Sequence, residues 1–114
     1  MRRITVVVLL FLSGCSAGPI TSVTVRDAQF KVVKQLTASE LAAFERHWSS
    51  KVEVKASLED AGGRHFKLDV ERGEKGNRWL YQTSGYVEVL SVLKKPVYRV
   101  REPESFNELI GAKR

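Results

Sequence analysis

The residue best suited to covalent chemistry in this sequence is Cys15, the only cysteine among 114 residues. The thiolate form of cysteine is a strong nucleophile, and its sulfur can form a stable thioether with a lipid carbon. Cys15 lies just after the most apolar run of the chain, residues 4–12. The residues that precede Cys15 therefore bear on what its sulfur does.

The residues before Cys15 have the organisation of a secretory signal peptide. Arg2 and Arg3 form a positive amino-terminal region, residues 4–12 form an apolar region, and Ser13 and Gly14 are small residues before a cleavage point. A membrane-spanning helix needs about 20 apolar residues, so this segment is too short to be one. We therefore expect residues 1–14 to be a signal peptide that is removed.

The sequence Leu12-Ser13-Gly14-Cys15 resembles the lipobox of bacterial lipoproteins at all four positions. This resemblance covers about the first fifteen residues. It implies that a lipoprotein signal peptidase cleaves before Cys15, whose sulfur carries a diacylglyceryl group with acyl chains such as palmitate. Ser16 stands where lipoproteins kept in the inner membrane typically have Asp, which implies the periplasmic face of the outer membrane, or the cell envelope in a single-membrane bacterium.

The mature chain has the length of one small domain. We predict a lipidated cysteine and short linker over residues 15–20 and a single periplasmic domain over residues 21–114. Loss of Arg2 and Arg3 lowers the formal charge from +6 to +4. This modest excess is spread among acidic residues, so we do not expect a nucleic-acid partner. With Cys15 acylated, the domain must fold without disulfides.

The order of local patterns predicts an α+β fold. Residues 37–40 form a capping box that starts a helix expected to end near Ser49. Pro103 and Gly111 mark the ends of a short C-terminal helix. Alternating apolar residues predict strands in the remaining segments. We predict one main helix packed on an antiparallel sheet of four to five strands, in an element order that resembles the cystatin-like arrangement without implying its function.

One strand pairing is also predicted from local sequence. Residues 51–58 and 65–72 both alternate, and the turn-forming residues 59–63 lie between them, so we expect these two runs to form a hairpin. Residues 73–77 contain two glycines and are expected to form the next turn. The strand that follows is predicted to begin near Trp79.

The mature chain has no recognisable catalytic or metal-binding pattern. His47 and His65 have neither cysteine nor acid partners at metal-ligand spacing, and no serine lies in a G-x-S-x-G motif. The carboxylate pairs 59/60 and 102/104 lie in a turn and at a helix start, where acids are favoured for conformational reasons. We therefore predict a protein that is not an enzyme and uses no metal, cofactor or small-molecule substrate.

A group of aromatic and basic residues late in the chain is the best candidate for a binding surface, because Trp, Tyr and Arg dominate interface hot spots. The candidates are Trp79, Tyr81, Tyr86, Lys94, Lys95, Tyr98, Arg99 and Arg101. The alternative is that Trp79, Tyr81 and Tyr98 belong to the core. Glu45 leaves a similar choice, between a buried acid paired with an arginine and an edge position that reaches solvent.

These features favour an outer-membrane lipoprotein whose non-enzymatic periplasmic domain binds another envelope protein in an accessory or assembly role. The alternative is an inhibitor or immunity-type lipoprotein that blocks an envelope-acting enzyme. Known lysozyme-inhibitor lipoproteins commonly use disulfides, which this mature chain cannot form. A hydrolase with an unrecognised site is disfavoured by the missing catalytic residues.

Overall fold

The computed structural model describes residues 18–55, 63–90 and 96–112, which form an α+β structure. Its elements are β1 (Ser22–Arg26), β2 (Val32–Gln35), α1 (Ala38–Ser49), β3 (Val52–Val54), β4 (His65–Arg72), β5 (Lys75–Gln82), β6 (Tyr86–Val89), β7 (Val97–Arg99) and α2 (Pro103–Ile110). The predicted class, with a main helix and a short C-terminal helix, is confirmed. The signal peptide, Cys15, the 59/60 carboxylates, Lys94 and Lys95 lie outside the described residues.

Both helices have the predicted bounds: α1 follows the capping box at Thr37 and ends at Ser49, and α2 starts at Pro103 and is followed by Gly111. The amide N of Glu40 donates to Thr37 Oγ1 at 3.3 Å, and the amide N of Thr37 donates to Glu40 Oε1 at 2.9 Å. These two bonds satisfy amide groups that the first turn of α1 cannot pair internally. Gly111 ends α2 in the left-handed conformation, at φ 74°. No helix in the described part of the chain combines the length and apolar character needed to cross a membrane.

The sheet contains seven antiparallel strands in the order β2-β1-β4-β5-β6-β7-β3. This exceeds the predicted four to five strands. Within the described residues, β2, β3 and β7 have only three or four residues each. Strand β3 lies within the alternating run 51–58, so the local pattern did indicate this strand and the predicted number of strands was too low.

The predicted hairpin between residues 51–58 and 65–72 is wrong. Strand β3 pairs with β7 at one edge of the sheet, whereas β4 pairs with β1 and β5. The eight residues of β4 and the eight of β5 are joined by only Gly73 and Glu74, and Gly73 adopts φ 65°, as a tight turn requires. The predicted turn over residues 73–77 is therefore shorter, and β5 begins at Lys75.

The helices α1 and α2 cover one face of the sheet, and the core lies between the helices and this face. Phe66 of β4, Tyr81 of β5 and Val87 of β6 are register partners on this face, and all three are buried. The helices add Phe44, Trp48, Phe106 and Ile110. The rings of Phe44 and Phe106 lie 5.4 Å apart, so α1 and α2 pack through the same aromatic cluster as the sheet.

Helix α2 also places a polar side chain in the core, Asn107, which the sequence pattern did not predict. Its Nδ2 donates to the carbonyl of Thr83 at 2.9 Å, and its Oδ1 accepts from the Tyr81 hydroxyl. Burial of polar groups is unfavourable unless they are hydrogen-bonded. These bonds therefore fix the position of α2 relative to the end of β5. Phe106 and Ile110 of α2 are fully buried beside Asn107, and Leu109 is half-buried.

Candidate functional site

Three of the predicted binding residues lie on the helix-covered face of the sheet: Trp79, Tyr81 and Tyr98. Tyr81 is fully buried among core side chains. A side chain with no exposed surface cannot contact a docking partner, so Tyr81 belongs to the core and not to a binding surface. Trp79 and Tyr98 are half-buried, and their ring centroids lie 6.3 Å apart.

The other predicted binding residues in the described part of the chain do not lie beside Trp79 and Tyr98. Tyr86 and Arg99 are register partners on the opposite face, where the Arg99 guanidinium lies 5.9 Å from the Tyr86 ring centroid. Arg101 is exposed, and its Nε donates to the carbonyl of Ser50 at 2.9 Å. The predicted set is therefore divided between two faces of the sheet and does not form one surface.

A groove lies on the helix-covered face of the sheet, between the C-terminal end of α1 and the strands β4 and β5. The groove lies beside the turn between β4 and β5 and has a volume of about 540 Å³. We call it the hairpin groove, and its principal lining residues are Gly18, Trp48, Lys51, Arg72, Lys75 and Trp79.

Lys51 occupies an aromatic cluster at one wall of this groove. Its Nζ lies 4.4, 5.3 and 5.0 Å from the ring centroids of Trp48, Trp79 and Tyr98, and it donates to the Trp48 carbonyl at 3.1 Å. Burial lowers the pKa of Lys51 to about 8; repulsion from Arg72 acts in the same direction and Glu45 opposes it. Lys51 was not among the predicted binding residues, although a cation just after a helix C-terminus is a recognisable signal.

Arg72 joins the hairpin to the start of the described chain. Its Nη1 donates to the carbonyl of Gly18 at 2.6 Å, and its Nη2 lies 3.8 Å from Glu45 Oε2. Glu45 Oε1 accepts from the amide of Ile20 at 3.2 Å, and Ile20 is buried. Glu45 therefore combines both predicted alternatives, since it lies near an arginine and its side chain remains 37% exposed.

These contacts move the predicted boundary between linker and domain. Besides the bonds of Gly18 and Ile20, the amide of Thr21 donates to the carbonyl of Glu71 at 2.8 Å. Residues 18–20 were expected to belong to a short linker, but they are held against α1 and the β4–β5 hairpin. Gly18 and Ile20 therefore belong to the folded domain rather than to the predicted linker.

The opposite face of the sheet carries an ion network centred on Asp69. The carboxylate accepts from Arg78 Nε at 2.6 Å, from Arg78 Nη2 at 3.1 Å and from Arg26 Nε at 2.9 Å. Hydrogen bonds from Arg78, aided by those from Arg26, hold the pKa of Asp69 below its usual value despite partial burial. The network gives this face a fixed arrangement of cations beside the loop of residues 27–31.

That loop, which we call the Phe30 loop, presents an unusual aromatic residue. Phe30 has a φ of 66°, a conformation that costs a bulky L-residue about 1–2 kcal/mol. Phe30 is 47% exposed, and its ring centroid lies 4.7 Å from Lys67 Nζ and 5.1 Å from Arg78 Cζ. Asp27 fixes the loop, because its Oδ1 accepts from the amides of Gln29 and Lys31. Phe30 was not among the predicted binding residues, because phenylalanine is not a turn-forming residue.

The histidines make structural contacts. The His47 ring packs edge-on against Phe106, with centroids 5.6 Å apart, and His65 Nε2 lies 2.8 Å from Gln82 Nε2. Among the residues that the structure describes, no group of three or more His, Cys, Asp or Glu side chains could hold a metal ion.

No protein-family model, curated protein or solved structure matches this chain. What the domain does must therefore be inferred from its own residues. Two surfaces have the chemistry for recognition: the cationic and aromatic hairpin groove, and the strained Phe30 loop on the opposite face.

Proposed function

We propose that this chain is a bacterial lipoprotein, anchored in the outer membrane through lipid on Cys15, whose periplasmic domain binds another envelope protein and catalyses no reaction. The signal-peptide pattern and the lipobox-like sequence support the anchor. The conformation of Phe30 is the observation that carries the binding role.

Phe30 is unfavourable for folding in two respects. Glycine would adopt the same φ without strain, and a polar residue would expose less apolar surface. Strained residues that persist at exposed loops are concentrated at functional sites. Val32, which is 50% exposed, is the register partner of Arg26 and so lies on the same face as Phe30. An apolar centre flanked by basic residues has the anatomy of a protein-binding patch.

The position of the Phe30 loop suits recognition by a partner in the periplasm. Strand β1 begins beside the β4–β5 turn, where Ser22 pairs with Glu71, and ends where Arg26 pairs with Lys67. The Phe30 loop follows β1, so the loop and Gly18 lie at opposite ends of the strand. In a protein anchored at Cys15, this arrangement would direct the loop away from the membrane.

Substitution of Phe30 by glycine is expected to separate stability from binding. Relief of the backbone strain should leave the free energy of unfolding unchanged or raise it by about 1 kcal/mol. Loss of the ring should weaken partner binding at least about tenfold, as for a truncated hot-spot aromatic. The measurements are urea unfolding, photo-crosslinking in intact envelopes, and a titration with the purified partner that the crosslink identifies.

Two further variants complete this test. Phe30→Asn removes the ring and introduces a residue that tolerates positive φ. This variant should therefore lose partner binding as Phe30→Gly does. Val52→Thr changes another exposed apolar residue, at the opposite edge of the sheet, and should bind normally. Full partner binding by both Phe30 variants would contradict the proposed surface.

A captured partner that is an enzyme inhibited by the domain would instead support the inhibitor alternative. The cystatin-like element order concerns topology and favours neither function.

A further inference from the structure

The hairpin groove lies where the chain enters the folded domain. Gly18 belongs to the groove lining and is held there by Arg72. Cys15 is three residues earlier, so its Cα lies at most about 11 Å from that of Gly18. The headgroup region of each leaflet is about 5–8 Å thick. Lipid on Cys15 would therefore keep this groove within reach of the headgroups.

The composition of the groove is suited to an anionic headgroup. Lys51, Arg72 and Lys75 provide three cations, opposed in the lining by the single acid Glu74. Arg72 donates one N–H to Gly18, and its Nη2 lies 3.8 Å from Glu45 Oε2, a distance that leaves the planar guanidinium able to turn its remaining N–H groups toward phosphate oxygens. Trp79 is half-buried at the same wall, and indole rings favour the interface between headgroups and acyl chains.

We infer that the hairpin groove binds the headgroup phosphate of an anionic phospholipid in the leaflet that holds the acyl chains of Cys15. This inference rests on the lipid anchor of the proposed function. Because the anchor makes the second contact intramolecular, a headgroup affinity too weak to recruit a free protein suffices to orient the anchored domain. The bound headgroup holds the β4–β5 turn against the membrane and the Phe30 loop away from it.

The test uses the acylated mature protein in phosphatidylcholine vesicles with or without phosphatidylglycerol. Sedimentation with vesicles reports the anchor, and acetylation rates of individual lysines, measured by mass spectrometry, report the groove. Lys75 is exposed, and its acetylation should slow at least about threefold when the anionic lipid is present. Lys31, which is exposed on the Phe30 loop, should react at the same rate in both vesicles.

Variants and a soluble anion complete the design. Arg72→Gln should still sediment but lose the protection of Lys75, whereas Arg99→Gln, the same change on the opposite face, should retain it. Equal Lys75 acetylation in both vesicles, with normal sedimentation, overturns the headgroup site and leaves the anchor intact. Failure to sediment overturns the anchor on which the inference rests. Equal protection by inorganic phosphate in phosphatidylcholine vesicles overturns the lipid as ligand in favour of a soluble anion.

Discussion

Replacement of Leu68 by alanine is expected to lower the free energy of unfolding by about 2–5 kcal/mol. Leu68 is fully buried in β4, with Val25 of β1 and Trp79 of β5 as its register partners. The removed methyl groups leave a cavity in the centre of the sheet, where close packing limits collapse. A domain of this size has a total stability of about 5–15 kcal/mol, so the loss is a large fraction of the whole. Urea unfolding measures it.

Two controls test whether burial is the cause. Leu90→Ala makes the same chemical change at a side chain that is 38% exposed, and we expect an effect within about 0.5 kcal/mol. Lys67→Ala changes the neighbour of Leu68 on the opposite face, where its ammonium contacts the Phe30 ring, and a similarly small effect is expected. A loss at either control position as large as that at Leu68 would contradict the assignment of the two sheet faces.

The second large effect is expected for Asn107→Ala, at about 2–4 kcal/mol. This change removes the buried bonds to Tyr81 and Thr83, each with a net contribution of about 0.5–1.5 kcal/mol, and opens a small cavity. Tyr81→Phe is the matched variant, because it removes the hydroxyl alone. If the Asn107 amide and the Tyr81 hydroxyl act as one unit, the double variant should lose less free energy of unfolding than the sum of the losses in the two single variants. Strict additivity would show that they act independently.

The helices could be predicted because their signals are local. The bonds between Thr37 and Glu40 depend on residues three positions apart, and Pro103 and Gly111 fix the ends of α2 through their own backbone preferences. The alternation over residues 65–72 places Phe66, Leu68 and Val70 on one face of β4, and all three are buried. These inferences require no knowledge of the rest of the fold.

Strand pairing could not be predicted in the same way. The partner of β3 is β7, which lies more than forty residues later, so no local pattern connects them. The β4–β5 turn did have a local signal, but Gly73 and Gly76 offered two possible turn positions. Only Gly73 lies in the turn, whereas Gly76 is within β5 as the register partner of Glu71.

The candidate surfaces were partly hidden for the same reason. Lys51, Arg72 and Lys75 meet only because the end of α1 packs beside the β4–β5 turn. Composition identified the aromatic and basic residues of the last strands, but it could not separate the buried Tyr81 from Tyr86 on the other face. The positive φ of Phe30 is set by the hydrogen bonds of Asp27, which sequence spacing does not reveal.

Anchoring through Cys15 is the claim on which both the orientation of the domain and the groove depend. Its most direct test is metabolic labelling with an alkyne fatty acid, followed by intact-mass measurement of wild type and Cys15→Ser in a double-membrane bacterium. Wild type is expected to carry the label on a chain that begins at Cys15, and Cys15→Ser should carry none and remain uncleaved or mislocalised, because no other residue supplies a thiol. An unlabelled wild-type chain would contradict the lipoprotein assignment.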